Sequence, residues 1–326
     1  MSAKPGAPDA PSAPSAASAA WIGGGSYVLA CVFWGMNIPL TATLFQTYDP
    51  YWLAFMRVSL AALLLAGVLA VTRGLAAWRS PIPIWRIVVM GVFASTFFAM
   101  YNIGLRHTNT ITAAAIVAGS PVYGAVVSRI MIGARLEKGF WGAALLTLVG
   151  AGIAIYGRAG ASGQFLALQG GEILLVLGLG CWAVYSILSQ RWFTPETPQL
   201  QRTFLGLFGA SPWLLVWWFL ARAAGMTETI NLHPSATALT YLLLTTVFAT
   251  ALGGVVWNIG VARLGVNAGM MWQNTVPVFA VLISLLCFGV KPLPEQVAGG
   301  VTVLAGVFYM QWHRIQAARS APAART

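Results

Sequence analysis

Two amides, Gln273 and Asn274, lie in the middle of an apolar run that reads MMWQNTVP. At that depth an amide is costly unless it has a partner, and polar side chains so placed mark a solute pathway or bond a neighbouring helix. Trp272 adds an aromatic face, on which an apolar or cationic group can rest. Pro277 removes a backbone N–H and should free the Gln273 carbonyl as a further acceptor; Pro121 should do the same for Val117. A freed carbonyl is tolerated where it faces a protein interior or a wet cavity. The bland alternative is a packing kink, with Ser or Thr nearby satisfying the carbonyl.

A second group repeats the theme. Trp34 and Asn37 stand about one turn apart, two residues before Pro39 in FWGMNIP, where a broken span would expose backbone groups. Trp182 and Tyr185 have the same spacing in CWAVY. Aromatic residues gather at both membrane interfaces, and most of the 14 tryptophans fit that placement, Trp218 among them. Trp34, Trp182, Tyr185 and Trp272 lie near mid-span and do not. Tyr101 and Trp257 lie nearer the span ends, as candidate gates on opposite sides, with Asn102 and Asn258 directly after them. All of these are candidates for lining a solute site; core packing is the alternative for each.

Charge is sparse where it would matter. The seven acids fall in the tail, in loops or within about a turn of a span end, Glu172 and Glu295 included. Exchange of an organic cation for protons relies on an acid inside the membrane, so neutral or zwitterionic solutes are favoured. Arg57 is the one deep cation. It either draws a solute carboxylate inward or snorkels to the headgroups. The histidines end spans or lie in loops. No HExxH helix or intramembrane aspartate pair is present, which argues against an intramembrane enzyme. No metal or cofactor is expected, and Cys31, Cys181 and Cys287 each stand alone.

The elements that must hold these residues are transmembrane helices. The chain is 58% hydrophobic and 8% charged, with a mean hydropathy of +0.77, far from a soluble domain. The net charge of +11 is scattered over the ends of apolar runs, which excludes a nucleic-acid partner. Residues 1–20, almost all Ala, Pro, Ser and Gly, read as a disordered tail, and 314–326 as a second tail. Ten runs between them suit a bilayer core of about 30 Å: 25–45, 51–71, 85–106, 110–131, 139–157, 171–191, 201–221, 238–262, 266–288 and 295–313.

The runs also repeat. Tyr101–Val122 aligns without gaps on Trp257–Val278, placing Asn102 on Asn258 and Pro121 on Pro277; at the same offset Gly133 falls on Gly289 and Gly150 on Gly306. Five spans per copy is odd, so the second copy enters from the opposite side and the halves, 21–158 and 169–313, are inverted repeats. Inverted repeats suit alternating access better than a channel does. With both termini cytoplasmic, 13 of the 18 basic residues fall inside.

In FWGMNIP, the arginine of LAFMR, the mid-span prolines, the GEILL opening of the sixth span and the glycine-spaced fifth and tenth spans, the sequence resembles the EamA branch of the drug/metabolite transporter superfamily. The resemblance covers about residues 25–313. It implies a basket of ten helices in two inverted five-helix repeats, with a central cavity, and export of amino acids, other small metabolites or drugs. Family members commonly carry Gly-Glu at the ends of the fourth and ninth spans. Here Gly133 and Gly289 are followed by Ala134 and Val290, so no role passes to a terminal carboxylate.

The expectation is therefore a multi-pass transporter of a bacterial inner membrane, exporting neutral or zwitterionic metabolites, amino acids first. Drug or hydrophobic-cation efflux is the alternative, and lipid translocation ranks below it. The small residues of the fifth and tenth spans should pack within or between protomers, so a homodimer is open.

Overall fold

The computed structural model describes residues 16–107, 116–117, 119–133, 135–136, 139–162, 170–228, 230–231, 233–289 and 291–320. Among them the chain is all helix and turn. The helices are α1 (Ala16–Leu44), α2 (Pro50–Arg73), α3 (Ile84–Arg106), α4 (Ser120–Ile132), α5 (Phe140–Ser162) and α6 (Glu172–Trp192). They continue as α7 (Gln199–Ala223), α8 (Ala236–Leu264), α9 (Val266–Gln273), α10 (Val276–Phe288) and α11 (Pro294–Ser320). Six of them, α1, α2, α3, α6, α7 and α8, are long and apolar enough to cross a bilayer. Their outer faces carry large exposed apolar side chains such as Leu63, Val71 and Phe219, as a lipid-facing surface requires.

Several bounds differ from expectation. α1 begins at Ala16 and α11 runs to Ser320, so each takes in part of a stretch expected to be a tail; residues 1–15 and 321–326 lie outside the described residues, as does 108–115 at the start of the expected fourth span. α1 is not broken at Pro39; the Thr43 hydroxyl donates to the Pro39 carbonyl one turn on. The expected ninth span is two helices, and α8 winds with i→i+5 bonds over Thr245–Leu252.

Local chemistry sets the ends. Asp49 caps α2, its carboxylate accepting the Tyr51 and Trp52 N–H groups at 3.0 and 2.9 Å, with Pro50 in the first turn. Asp49→Ala should therefore cost about 1 kcal/mol, read as a lower melting temperature of the purified protein. Gly133 and Gly289 end α4 and α10 at φ +61° and +67°, the left-handed conformation that glycine adopts without strain.

α2 lies beside α7, α3 beside α6 and α7, α1 beside α8 and α10, and α5 beside α11. α2 and α7 run antiparallel: Trp52 near the start of α2 meets Trp218 near the end of α7 at 5.0 Å, while Gln201 at the start of α7 donates to the Ala77 and Arg79 carbonyls beyond the end of α2. α5 and α11 are also antiparallel and touch through glycine. A Cβ at Gly150 would meet Gly299, Thr302 and Val303; one at Gly306 would meet Ala143, Leu146 and Thr147. The second set lies 156 residues before the first, position for position. Exchanging the two helices leaves the contact unchanged, and for antiparallel helices that exchange is a two-fold axis across them.

Candidate functional site

Three helices bring three tryptophans together at the centre. Trp34 of α1, Trp182 of α6 and Trp257 of α8 form a triangle of ring centroids 5.9, 5.1 and 5.6 Å apart. Tyr185 stacks on Trp182 at 5.4 Å and Phe97 of α3 covers it at 4.9 Å; Tyr101 follows Phe97 at 5.5 Å, and Tyr27 meets Trp257 at 5.2 Å. The spacing and tilt are those of favourable aromatic pairs. Trp182 and Trp257 are buried, and the Trp182 indole N–H has no hydrogen-bond partner.

Polar networks flank this aromatic layer. Toward the start of α2, Arg57 donates to the hydroxyls of Thr41 on α1 and Thr250 on α8, both at 3.2 Å. Thr41 passes the bond to the Asn37 amide oxygen, and Thr250 to the Thr245 carbonyl. The i→i+5 winding of α8 also presents the Ala249 carbonyl to the Trp34 indole N–H at 3.0 Å. Such segments recur at functional sites. Arg57 is 8% exposed, so it does not snorkel. Its partners are neutral oxygens, and no carboxylate meets it among the described residues. Toward the start of α7, Asn258 donates to Thr203 at 2.9 Å and meets the Tyr185 hydroxyl.

The breaks at proline take a different form from the expected kinks. Pro121 and Pro277 stand in the first turns of α4 and α10, where the missing N–H costs nothing. The carbonyl before each break is satisfied locally: Ser120 donates to Val117, and Thr275 to Trp272 at 2.8 Å. The Cys31 thiol also donates to Trp272 at 3.2 Å, which sets the α9–α10 break against α1. Gln273 is nine-tenths buried there, and its amide oxygen has no partner.

Not every candidate joins the site. Trp272 lies apart from the aromatic layer, with Met271 over Val307 and Met310 of α11. Trp257 is 1% exposed at the centre of the layer, so it does not sit at a span end as a gate; Tyr101 joins the layer through Phe97. Asn102 is buried beside them, and Asn274 closes α9. Trp218 is buried on Trp52 instead of facing lipid. The residues missed by sequence reasoning are Phe97, Tyr27, Thr41, Thr203 and Thr250. None departs from what an ordinary span contains, and only the fold brings them in.

One end of the bundle holds a cavity of about 210 Å³ lined by Pro50, Tyr51, Ile103, Arg106, His107 and Met226. Arg106 pairs with Glu228 at 2.8 Å across its rim. Burial pushes the nearby Asp49 carboxyl above the ordinary carboxylate range, against the pull of its two backbone N–H bonds. Among the described residues every acid lies at a helix end or in a turn, and no His, Cys and acid cluster could hold a metal.

An apolar helical bundle, with an aromatic and amide-lined centre and broken helices beside it, defines a multi-pass membrane transporter. The sequence pattern of the EamA-like transporter family matches residues 21–156 and 169–312, and the chain belongs to that family. It is 24% identical over 278 residues to the uncharacterized transporter YyaM of Bacillus subtilis, covering 85% of this chain and 89% of that one. It is 25% identical over 285 residues to a probable terminal-alkyne amino-acid exporter of Streptantibioticus cattleyicolor, covering 86% and 90%. A solved crystal structure matches with a TM-score of 0.73 at 18% identity over 94% of this chain and 99% of that chain, a likeness of fold.

Proposed function

We propose that this protein exports amino acids or related neutral or zwitterionic metabolites across the cell membrane by alternating access at the aromatic layer. The observation that carries the reading is the pair of buried polar atoms without partners near the centre, the Trp182 indole N–H and the Gln273 amide oxygen. Buried polar groups are almost always bonded, and a solute with donors and acceptors completes them. Ten crossings in two inverted halves support alternating access: α9 and α10 together make one crossing, and the exchange-symmetric contact of α5 with α11 places a two-fold axis across the helices. The glycine faces of α5 and α11 are used on each other, so this reading needs no second copy. Both termini face the cytoplasm, on the distribution of positive charge. The exporter of terminal-alkyne amino acids supports the substrate class.

The test is flux from liposomes loaded with labelled amino acids or quaternary cations, with and without a pH gradient. Amino-acid flux independent of the gradient is expected; strictly proton-driven cation flux overturns the reading in favour of drug efflux. Gln273→Leu sharpens it. Removing an unpartnered buried amide oxygen costs little stability, so flux should fall by about tenfold at an unchanged melting temperature. Unchanged flux would take Gln273 out of the site.

A further inference from the structure

The centre has a second buried arginine that plays no part so far. Arg202, in the first turn of α7, is 3% exposed. It donates to the Thr194 carbonyl at 3.1 Å and lies over the Phe193 ring at 5.4 Å. Its surroundings match those of Arg57. Each follows a proline by seven residues, Pro50 before Arg57 and Pro195 before Arg202. Each stands on one of the two antiparallel helices α2 and α7, near that helix's start, so they lie toward opposite ends of the bundle. The aromatic layer separates them: on one side Trp34 leads through Asn37 and Thr41 to Arg57, and on the other Trp182 leads to Tyr185, beside Arg202.

Both guanidinium groups are also short of partners in the same way. Each bonds neutral oxygens, and the Nε of each is buried with no hydrogen-bond partner. A buried charge that meets only neutral groups is expensive, and a counter-charge relieves it. The Nε–H and the neighbouring Nη–H form the fork that receives a carboxylate side-on. A single guanidinium at each place matches a single negative charge. The tryptophans between them suit the apolar or aromatic remainder of the same molecule.

We propose that Arg57 and Arg202 are two carboxylate ports on opposite sides of the aromatic layer, which hold the carboxylate of the solute in turn as it crosses. This rests on the transport reading above and narrows its substrates to amphipathic monocarboxylates, zwitterions included.

Calorimetric titration of the purified full chain in detergent with phenylalanine, 3-phenylpropanoate and phenylalaninamide tests it. The wild type should bind the two carboxylates at least about tenfold more tightly than the amide, the difference expected for one charged hydrogen-bonded pair. Arg57→Gln and Arg202→Gln should each shrink that ratio, and the double variant should bring it close to one. Arg202→Lys should keep part of it. A purely structural Arg202 would lower the melting temperature of Arg202→Gln and leave the ratio alone, which overturns the proposal. A wild type that binds none of the three, or binds acid and amide alike, overturns it too. Flux of phenylalanine in liposomes is scored separately. Acid-selective binding without flux of any solute defeats the transport reading and leaves the ports standing.

Discussion

Gly91→Leu is expected to lower the melting temperature of the purified protein by about 10 °C or to prevent its assembly. Gly91 is where α3 touches α7. A Cβ there would lie 2.1 Å from the Gly209 carbonyl oxygen and 2.5 Å from its carbon, and backbone cannot swing aside as a side chain can. Overpacking a core costs about 1–3 kcal/mol when side chains give way, and more when they cannot; at about 3 °C per kcal/mol for a chain of this size, the upper part of that range is the shift named. Gly67→Leu is the matched control. Nothing lies within 4 Å of a Cβ at Gly67, so it should leave the melting temperature within about a degree. Equal shifts in the two variants would mean that helix propensity, and not the α3–α7 contact, sets the outcome.

Trp182→Ala should have the largest effect on transport. The ring touches Trp34, Trp257, Tyr185 and Phe97, and deleting a buried tryptophan costs about 3–5 kcal/mol. The three-ring layer would lose its shared member, and amino-acid flux should fall below detection. Trp182→Phe separates the two roles of the side chain. It keeps a stacking face and removes an N–H that bonds nothing in the protein, so stability should change by about 1 kcal/mol or less. Flux should nevertheless drop severalfold, because that N–H is assigned to the solute. Wild-type flux from Trp182→Phe would leave the ring as packing alone.

The elements were far more legible than the site. Apolar runs of bilayer length are a direct consequence of what lipid demands of a backbone, and α2, α3, α6 and α7 each fall within two residues of the stretch expected for them. The rotational setting of each helix was not legible. A helix that is apolar all round has no polar face to show which side looks inward. Trp272 and Trp34 therefore read alike, both tryptophans near mid-span beside an amide and a proline, yet one packs on α11 and the other joins the central layer.

The prolines misled for a related reason. Proline announces that a helical bond is missing, but the chain decides how to absorb the loss. Pro39 sits inside an unbroken α1, whereas Pro121 and Pro277 begin new helices after a turn. Arg202 was counted among the charges that line the cytoplasmic face. Its burial depends on Phe193 and the Thr194 carbonyl folding back over it, and no local pattern signals that. The i→i+5 stretch of α8 has no proline or glycine inside it; its cause is the pull of Trp34 and Arg57 from other helices on Ala249 and Thr250.

That stretch of α8 behaves as a stored twist. An i→i+5 winding packs more residues into each turn than an α-helix does, so Trp257 is held at an angle about the α8 axis that a regular helix would not give it. Rewinding Thr245–Leu252 to α would lengthen α8 and rotate Trp257, away from Trp34 and Trp182, without moving Ala236–Leu244 at all. The catch on this spring is two hydrogen bonds, from the Trp34 indole to Ala249 and from Arg57 to Thr250. A solute that draws Arg57 away would release half of it, so that occupancy of the site and the geometry of its aromatic wall are mechanically joined through one turn of helix.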